Sequence, residues 1–188
     1  MMQRQDLSAG IFTISDVLTP DECQEQIAFA ERQGFEVATI TARDGPLLNT
    51  EVRDNDRVIV DDMEMATRIW KRVGKFVPRR SYGRQVRGLN ERLRYYRYMP
   101  GQRFSWHFDG AFTRDNGEQS LLTFMIYLND GYEGGDTRFE SVSVAGKRGM
   151  ALLFEHELGH EGSLLIAGVK YVLRSDVIYG PLKPVRLG

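Results

Sequence analysis

Downstream of residue 88 the chain divides into seven short runs with strand character, and nothing else in the sequence limits its fold as strongly. The runs are residues 92–99, 104–108, 121–128, 137–144, 150–154, 163–166 and 170–179. They are rich in aromatic and branched side chains, and turns such as Asn129-Asp130-Gly131 and Glu133-Gly134-Gly135-Asp136 separate them. Many short strands at this spacing point to a β-sandwich or jelly roll.

Upstream, the pattern is mixed. Ile11–Ile14 reads as a strand. Thr19, Pro20 and Glu22 then announce a helix: Thr19 can cap, Pro20 suits the first helical position, and Glu22 completes a capping box. Cys23, Ile27 and Ala30 share one face of it, and Gly34 is a natural stop. Residues 35–40 read as a strand and 43–56 as a loop. That loop carries the charged run Arg53-Asp54-Asn55-Asp56-Arg57, which suits a surface turn or a substrate-selecting loop at a site mouth. Residues 57–60 read as a strand. Asp61 or Asp62 can cap a second helix with an apolar stripe of Ala66, Ile69, Val73 and Phe76, ended by Pro78. The expectation is one domain over residues 1–188, mainly β with flanking helices (α+β). Residues 1–88 would form an N-terminal helical support and 89–188 a jelly-roll catalytic core.

Charge narrows the choice of partners. Over 188 residues the formal net charge is -1, which gives no reason to expect nucleic acid or a membrane as partner. Arginine is nevertheless dense between Arg68 and Arg103, as a solvated face or as a face that meets an anion. The one cysteine, Cys23, excludes an internal disulfide and leads to the expectation of a reducing, cytoplasmic setting. No apolar run approaches membrane-spanning length, and no secretory signal is evident.

Three histidines carry the functional argument. His107 and Asp109 are two apart in a strand-like run, so alternation turns them to one face. One imidazole beside one carboxylate, joined by a second imidazole, makes the 2-His-1-carboxylate face that suits non-haem Fe(II). The other two histidines lie in His156-Glu157-Leu158-Gly159-His160, formally a zinc-peptidase motif. That reading is rejected. A strand-like apolar run precedes the motif, Gly159 and Gly162 limit any helix to about one turn, and Ile166 stands where a third ligand would fall. Local chemistry leaves open whether His156 or His160 joins His107 and Asp109. Lys170 and Arg174, four apart on one strand, share a face and could bind an acidic co-substrate or lie on a solvated edge. Glu133-Gly134-Gly135-Asp136 lacks the lysine and following helix of a phosphate loop and reads as a turn.

In order and spacing, these residues resemble a known family. Tyr98, Pro100-Gly101-Gln102, His107-x-Asp109, Tyr127-Leu128, Gly134-Gly135-Asp136-Thr137, Gly149, His160-x-Gly162 and Gly168-x-Lys170 look like the 2-oxoglutarate/Fe(II) dioxygenases, prolyl 4-hydroxylase-like branch. The resemblance implies a double-stranded β-helix, and His107, Asp109 and His160 as catalytic metal ligands. His160 is selected because it stands ten residues before Lys170, which would anchor the far carboxylate of 2-oxoglutarate with Tyr98 and Thr137. His156 would lie outside the ligand set. Also implied are O2 as oxidant, ascorbate as a reductant of the iron, succinate and CO2 as co-products, and hydroxylation of an unactivated C–H bond. The retained Asp109 argues against halogenation.

The chain departs from the pattern at Tyr171, where the family often has Trp. It also carries an extra Arg174 and lacks the cysteines of the secreted collagen enzymes. Peptide and small-molecule substrates, a free amino acid among them, are therefore both considered, with a non-catalytic jelly-roll binding module as the outsider. If Tyr98 faces inward, Tyr96 and Arg94 do too. Arg94, Tyr96 and Arg174 are then the expected substrate contacts.

Overall fold

The computed structural model describes residues 1–42, 45–47, 49 and 51–182. Two antiparallel sheets face each other. The larger runs in the order Arg4–Ser8, Ile11–Ile14, Ala151–Glu155, Gln119–Tyr127, Lys170–Gly180, Arg92–Tyr98, Asp56–Asp61, Glu36–Val37. Arg84–Leu89 adds to it along the second half of the Lys170–Gly180 strand. The smaller sheet is Phe104–His107, His160–Gly162, Thr137–Phe139, Ser143–Val144. Neighbours that are remote in sequence make this a jelly roll, as expected.

Strand alternation divides the interior in two. On the Lys170–Gly180 strand, Val172 points into the cluster between the sheets with Tyr96, Tyr98, Met125, Tyr127, Phe139 and Phe154. Leu173, one residue on, joins the opposite cluster with Leu93, Phe124, Ile126 and Leu153. That outer face is covered by two helices, α1 (Pro20–Gln33) and α2 (Met63–Val73). Helix α1 contributes Cys23 and Ala30; α2 contributes Met65, Ala66, Ile69 and Val73, all buried. Neither helix is long and apolar enough to cross a membrane.

Local chemistry accounts for the helix ends. The capping box forms as expected: the Thr19 hydroxyl accepts from the Glu22 amide at 3.2 Å, and the Thr19 amide donates to the Glu22 carboxylate at 2.9 Å. Gly34 ends α1 at φ 83°, a conformation open to glycine. Asp62 rather than Asp61 caps α2, accepting from the Met65 amide at 2.8 Å. Helix α2 stops at Val73, before Pro78, and a 3-10 turn over Gly74–Phe76 follows.

Three strand expectations change, and further strands form that were not expected. Residues 35–40 do not form one strand: Glu36–Val37 joins the large sheet, and Ile40–Ala42 pairs with Gly45–Leu47 inside the expected loop. Residues 43, 44, 48 and 50 of that loop lie outside the described residues. Residues 137–144 fold into a tight hairpin, in which the Phe139 amide donates to the Val142 carbonyl at 2.8 Å. Residues 163–166 give way to two strands, His160–Gly162 and Leu165–Ala167, one in the small sheet and one paired with Glu133–Gly134. Arg4–Ser8 and Arg84–Leu89 carry no apolar alternation strong enough to announce them, and pairing with a neighbour makes them strands.

Glu22 also grips Arg72 of α2 through both carboxylate oxygens, at 2.6 and 2.7 Å. The Arg72 side chain and the Thr19 amide together overcome partial burial and push the Glu22 carboxyl down to about 2. A carboxyl depressed by folding stabilises the fold above its unfolded value near 4.5, and that stability is lost as pH falls toward 2. Glu22→Gln is therefore expected to lower Tm at pH 7 by an amount that shrinks between pH 4.5 and 2. Thermal unfolding across that range checks it; a pH-independent difference would rule out the charge as the cause.

Candidate active site

The two sheets bring His107 and His160 together. They are direct partners across the antiparallel pair Phe104–His107 and His160–Gly162, with ring centroids 4.2 Å apart. Asp109 is not part of that strand, which ends at His107. Its inward direction therefore does not come from alternation, as the sequence reading supposed. Two side chains of the large sheet hold it instead. Thr123 donates its hydroxyl to Oδ2, and Arg174 Nη2 lies 2.8 Å from Oδ1. One donor atom from each of His107, Asp109 and His160 falls within 4.8 Å of the other two.

The protonation pattern leaves the metal-binding atoms free. His107 Nδ1 lies 2.8 Å from the Ser105 carbonyl and His160 Nδ1 lies 3.0 Å from the Leu158 carbonyl. A carbonyl can only accept, so both Nδ1 atoms carry the proton and both Nε2 lone pairs are available. Those Nε2 atoms lie 3.9 and 3.6 Å from the Asp109 carboxylate. Burial, then the proximity of His160, pushes His107 down to about 4; burial also lowers His160. Burial opposes charge on Asp109, but Arg174 first, then His160 and the Thr123 hydroxyl, hold its carboxyl well below the usual range. Two neutral imidazoles and one carboxylate are the donor types that ferrous iron takes, so the residues fit that ion.

His156 has a different job. Thr123 donates to Asp109, so its oxygen accepts from His156 Nδ1–H at 3.0 Å. His156 Nε2 must then accept the Ser120 hydroxyl at 2.9 Å. With both nitrogens occupied, His156 has no lone pair for a metal. The peptidase-like spacing also falls on a turn and the first residue of a new strand rather than a helix. What His156 does is orient Thr123 and, through it, Asp109. Thr123 itself was missed: in sequence it is one more residue of an apolar strand.

The other end of the same cleft holds Lys170. Tyr98, Thr137, Lys170 and Arg174 line it together with the His-Asp-His cluster. Lys170 is 2 % exposed and its ammonium donates to the Gly135 carbonyl at 2.5 Å. No carboxylate pairs with it among the described residues, and burial pushes its pKa down to about 8. A buried ammonium without a counter-ion, flanked by the rings of Tyr98 and Tyr127 at 5.1 and 5.4 Å, fits an incoming carboxylate. Thr137 is buried beside it, its hydroxyl 2.8 Å from that of Tyr127. Tyr96 and Arg174 line the cleft as expected. Arg94 does not: it faces Asp176 at 3.0 Å, because Arg94 and Arg174 are direct cross-strand partners and the like charges need a counter-ion between them.

Comparison with known proteins agrees with this geometry. Residues 93–175 match the model of the 2OG-Fe(II) oxygenase superfamily. That match covers a little under half of the chain, and the matched residues are similar to the core of that superfamily. Among sequence relatives, prolyl 4-hydroxylase 1 of Arabidopsis thaliana is 28% identical over 167 residues, covering 78% of this chain and 58% of the relative. A putative prolyl 4-hydroxylase of Acanthamoeba polyphaga mimivirus is 25% identical, covering 76% and 59%. The chain thus spans somewhat over half the length of these relatives. Among solved structures, the viral collagen prolyl hydroxylase of Paramecium Bursaria Chlorella virus-1, in a 2OG complex, superimposes with TM-score 0.65 at 21% identity, covering 91% and 96% of the two chains. A Trichoplax adhaerens prolyl hydroxylase in complex with a hypoxia inducible factor peptide fragment gives 0.66 at 17%, covering 89% and 83%. These likenesses show that the fold is the double-stranded β-helix of the prolyl hydroxylases.

The contrast between the two downstream histidines is measurable. Titration with Co(II), followed by its d–d absorption, should show one site in the wild type. His160→Ala and Asp109→Ala should abolish it. His156→Ala should keep it, weakened on the order of 10–100-fold as expected when a ligand loses its orienting partner. Equal loss in His156→Ala and His160→Ala would overturn the assignment.

Proposed function

We propose that the chain is an Fe(II)- and 2-oxoglutarate-dependent dioxygenase that hydroxylates an unactivated C–H bond, prolyl 4-hydroxylase-like in its chemistry. The observation that carries this is one cleft with two complementary ends: a His107, Asp109, His160 donor set and the unpaired, buried ammonium of Lys170. When bound, ferrous iron and 2-oxoglutarate would supply oxidation of the substrate by O2, coupled to formation of succinate and CO2.

The residues of the chain would bind, orient and exclude water. His107, Asp109 and His160 would hold the metal, with the two imidazoles fixed by the Ser105 and Leu158 carbonyls. Thr123 and His156 would keep Asp109 turned toward it. Lys170 would receive the 5-carboxylate of 2-oxoglutarate, helped by the Tyr98 and Thr137 hydroxyls. Phe104 stacks on His107 at 3.5 Å between centroids, and Phe154 meets His160 edge-on at 4.4 Å. These rings keep the donor set dry and strengthen each charged contact inside. Ascorbate as the reductant of the iron and a cytoplasmic setting belong to the same proposal.

A peptide substrate is favoured by the named relatives and by the peptide seen with one structural neighbour. A free amino acid or other small molecule is the second reading, favoured by the guanidinium of Arg174 inside the cleft. A non-catalytic binding module would require no turnover at all.

With Fe(II), 2-oxoglutarate, O2 and ascorbate, the protein should release succinate slowly, and faster with its substrate. No release in metal-loaded, folded protein would sink the enzyme reading. Lys170→Met should weaken 2-oxoglutarate binding by at least about tenfold, since stripping one partner from a buried charged contact costs about 2–5 kcal/mol. The lysine is cationic below its lowered value, so wild-type affinity for 2-oxoglutarate should stay level up to pH 7 and decline as pH rises through about 8. Calorimetry across that range checks the sign.

A further inference from the structure

Arg53 opens the charged run 53–57, for which the sequence offered a surface turn or a substrate-selecting loop. Its backbone bridges Phe104, the first residue of the strand that carries His107 and the immediate neighbour of Ser105. The guanidinium packs against the rings of Tyr96 and Phe104, 4.4 Å from each centroid; both rings line the cleft, and Arg53 lies directly behind them. Arg53 is 5% exposed; Nε donates to Asn55 at 2.7 Å, while Nη2 has no hydrogen-bond partner among the described residues. A buried guanidinium nitrogen with nothing to donate to is costly unless a ligand supplies the acceptor.

Its neighbours deepen the imbalance. Arg57 pairs with Tyr96 across the sheet and bonds only Thr39, by its carbonyl and hydroxyl, among the described residues. Arg94 and Arg174 share Asp176, at 3.0 and 3.4 Å. Arg174 also holds Asp109 at 2.8 Å and donates to the Tyr96 and Thr123 hydroxyls, each at 3.4 Å. Among the described residues the carboxylates that pair with these four guanidiniums are Asp176 and Asp109, and Asp109 belongs to the metal-ligand set. The Tyr96 phenol reports the same field. Burial raises it, but Arg174, Arg53 and Arg94 outweigh burial and bring it down to about 8.

We infer that this wall, Arg174 in the cleft and Arg53 packed against the Tyr96 and Phe104 rings that line it, receives a carboxylate of the primary substrate, so that the substrate is an anionic acid oxidised close to that carboxylate. The inference rests on the dioxygenase reading and narrows its substrate class. A planar carboxylate matches the guanidinium fork, and the two rings against Arg53 hold its fork rigid before the ligand arrives. The carboxylate can come from a free acid or from an Asp or Glu side chain of a peptide.

Matched acids and amides test it. Protein loaded with Mn(II) and 2-oxoglutarate is titrated calorimetrically with a panel of N-acetyl amino acids and their carboxamides. A second arm uses Ac-Gly-Asp-Gly-NH2 and Ac-Gly-Glu-Gly-NH2 against their Asn and Gln counterparts. The tightest ligand should be an acid, at least tenfold better than its own amide. A winner in the first arm identifies a free acid as the source, and one in the second a side-chain carboxylate. In Arg53→Met the preference should collapse to under threefold, and in Arg53→Lys a preference of at least threefold should persist. The loss of acid affinity in Arg53→Met should exceed any loss of 2-oxoglutarate affinity at least fivefold. Amides binding as well as acids, no acid in either arm binding better than its amide, or an equal loss of 2-oxoglutarate affinity would overturn the inference. Basal succinate release by the wild type, measured separately, tells whether such a failure concerns the substrate class or the dioxygenase reading itself.

Discussion

The antiparallel contact between Phe104–His107 and His160–Gly162 is what the rest of the site depends on. It sets two imidazoles opposite each other, and a carbonyl two residues back fixes each ring, Ser105 within its strand and Leu158 in the turn before the other. With both Nδ1 protons tied to the backbone, both Nε2 lone pairs face one point. The large sheet then supplies what the small sheet lacks: Thr123 and Arg174 hold Asp109, which no strand hydrogen bonds position. Slip of this pairing by one residue would turn one histidine to the opposite face and dissolve the donor set.

Charge around the cleft is arranged as unequally as the donor atoms. Lys170 and Arg53 are buried cations whose fixed protein partners are, among the described residues, a carbonyl and an amide oxygen rather than a carboxylate. Such groups burden the folded state; Lys170 lines the cleft, and Arg53 packs against two rings that line it. Arg94 and Arg174, facing each other across a strand pair, are tolerated because Asp176 lies between them. Arg174 Nη2 meets Asp176 and Asp109 with the same nitrogen, at 3.4 and 2.8 Å. Stability and site geometry are coupled through these few side chains.

Much of the large sheet was legible in the sequence. The strands containing Val172, Tyr127 and Tyr96 combine β-branched or aromatic residues with turn signals at both ends, so propensity and pattern agree. The capping box of α1 was legible because its chemistry is contained in four consecutive residues. Arg4–Ser8 was not, since a polar edge strand owes its existence to its neighbour Ile11–Ile14. Asp109 was placed on the correct face for the wrong reason: alternation ends at His107, and a hydroxyl and a guanidinium from distant strands turn the carboxylate inward.

By itself the sequence determined which donors exist, their local spacing, and the strand-rich character of the second half. The order of motifs carried the family resemblance, and with it the choice of His160. Only the tertiary structure decided that His156 is hydrogen-bonded at both nitrogens, that Arg94 is neutralised by Asp176, and that Arg53 packs against two aromatic rings that line the cleft. Spacing along a chain fixes direction only within one element. Which side chain meets which across two sheets is set by pairing and packing between segments far apart in sequence.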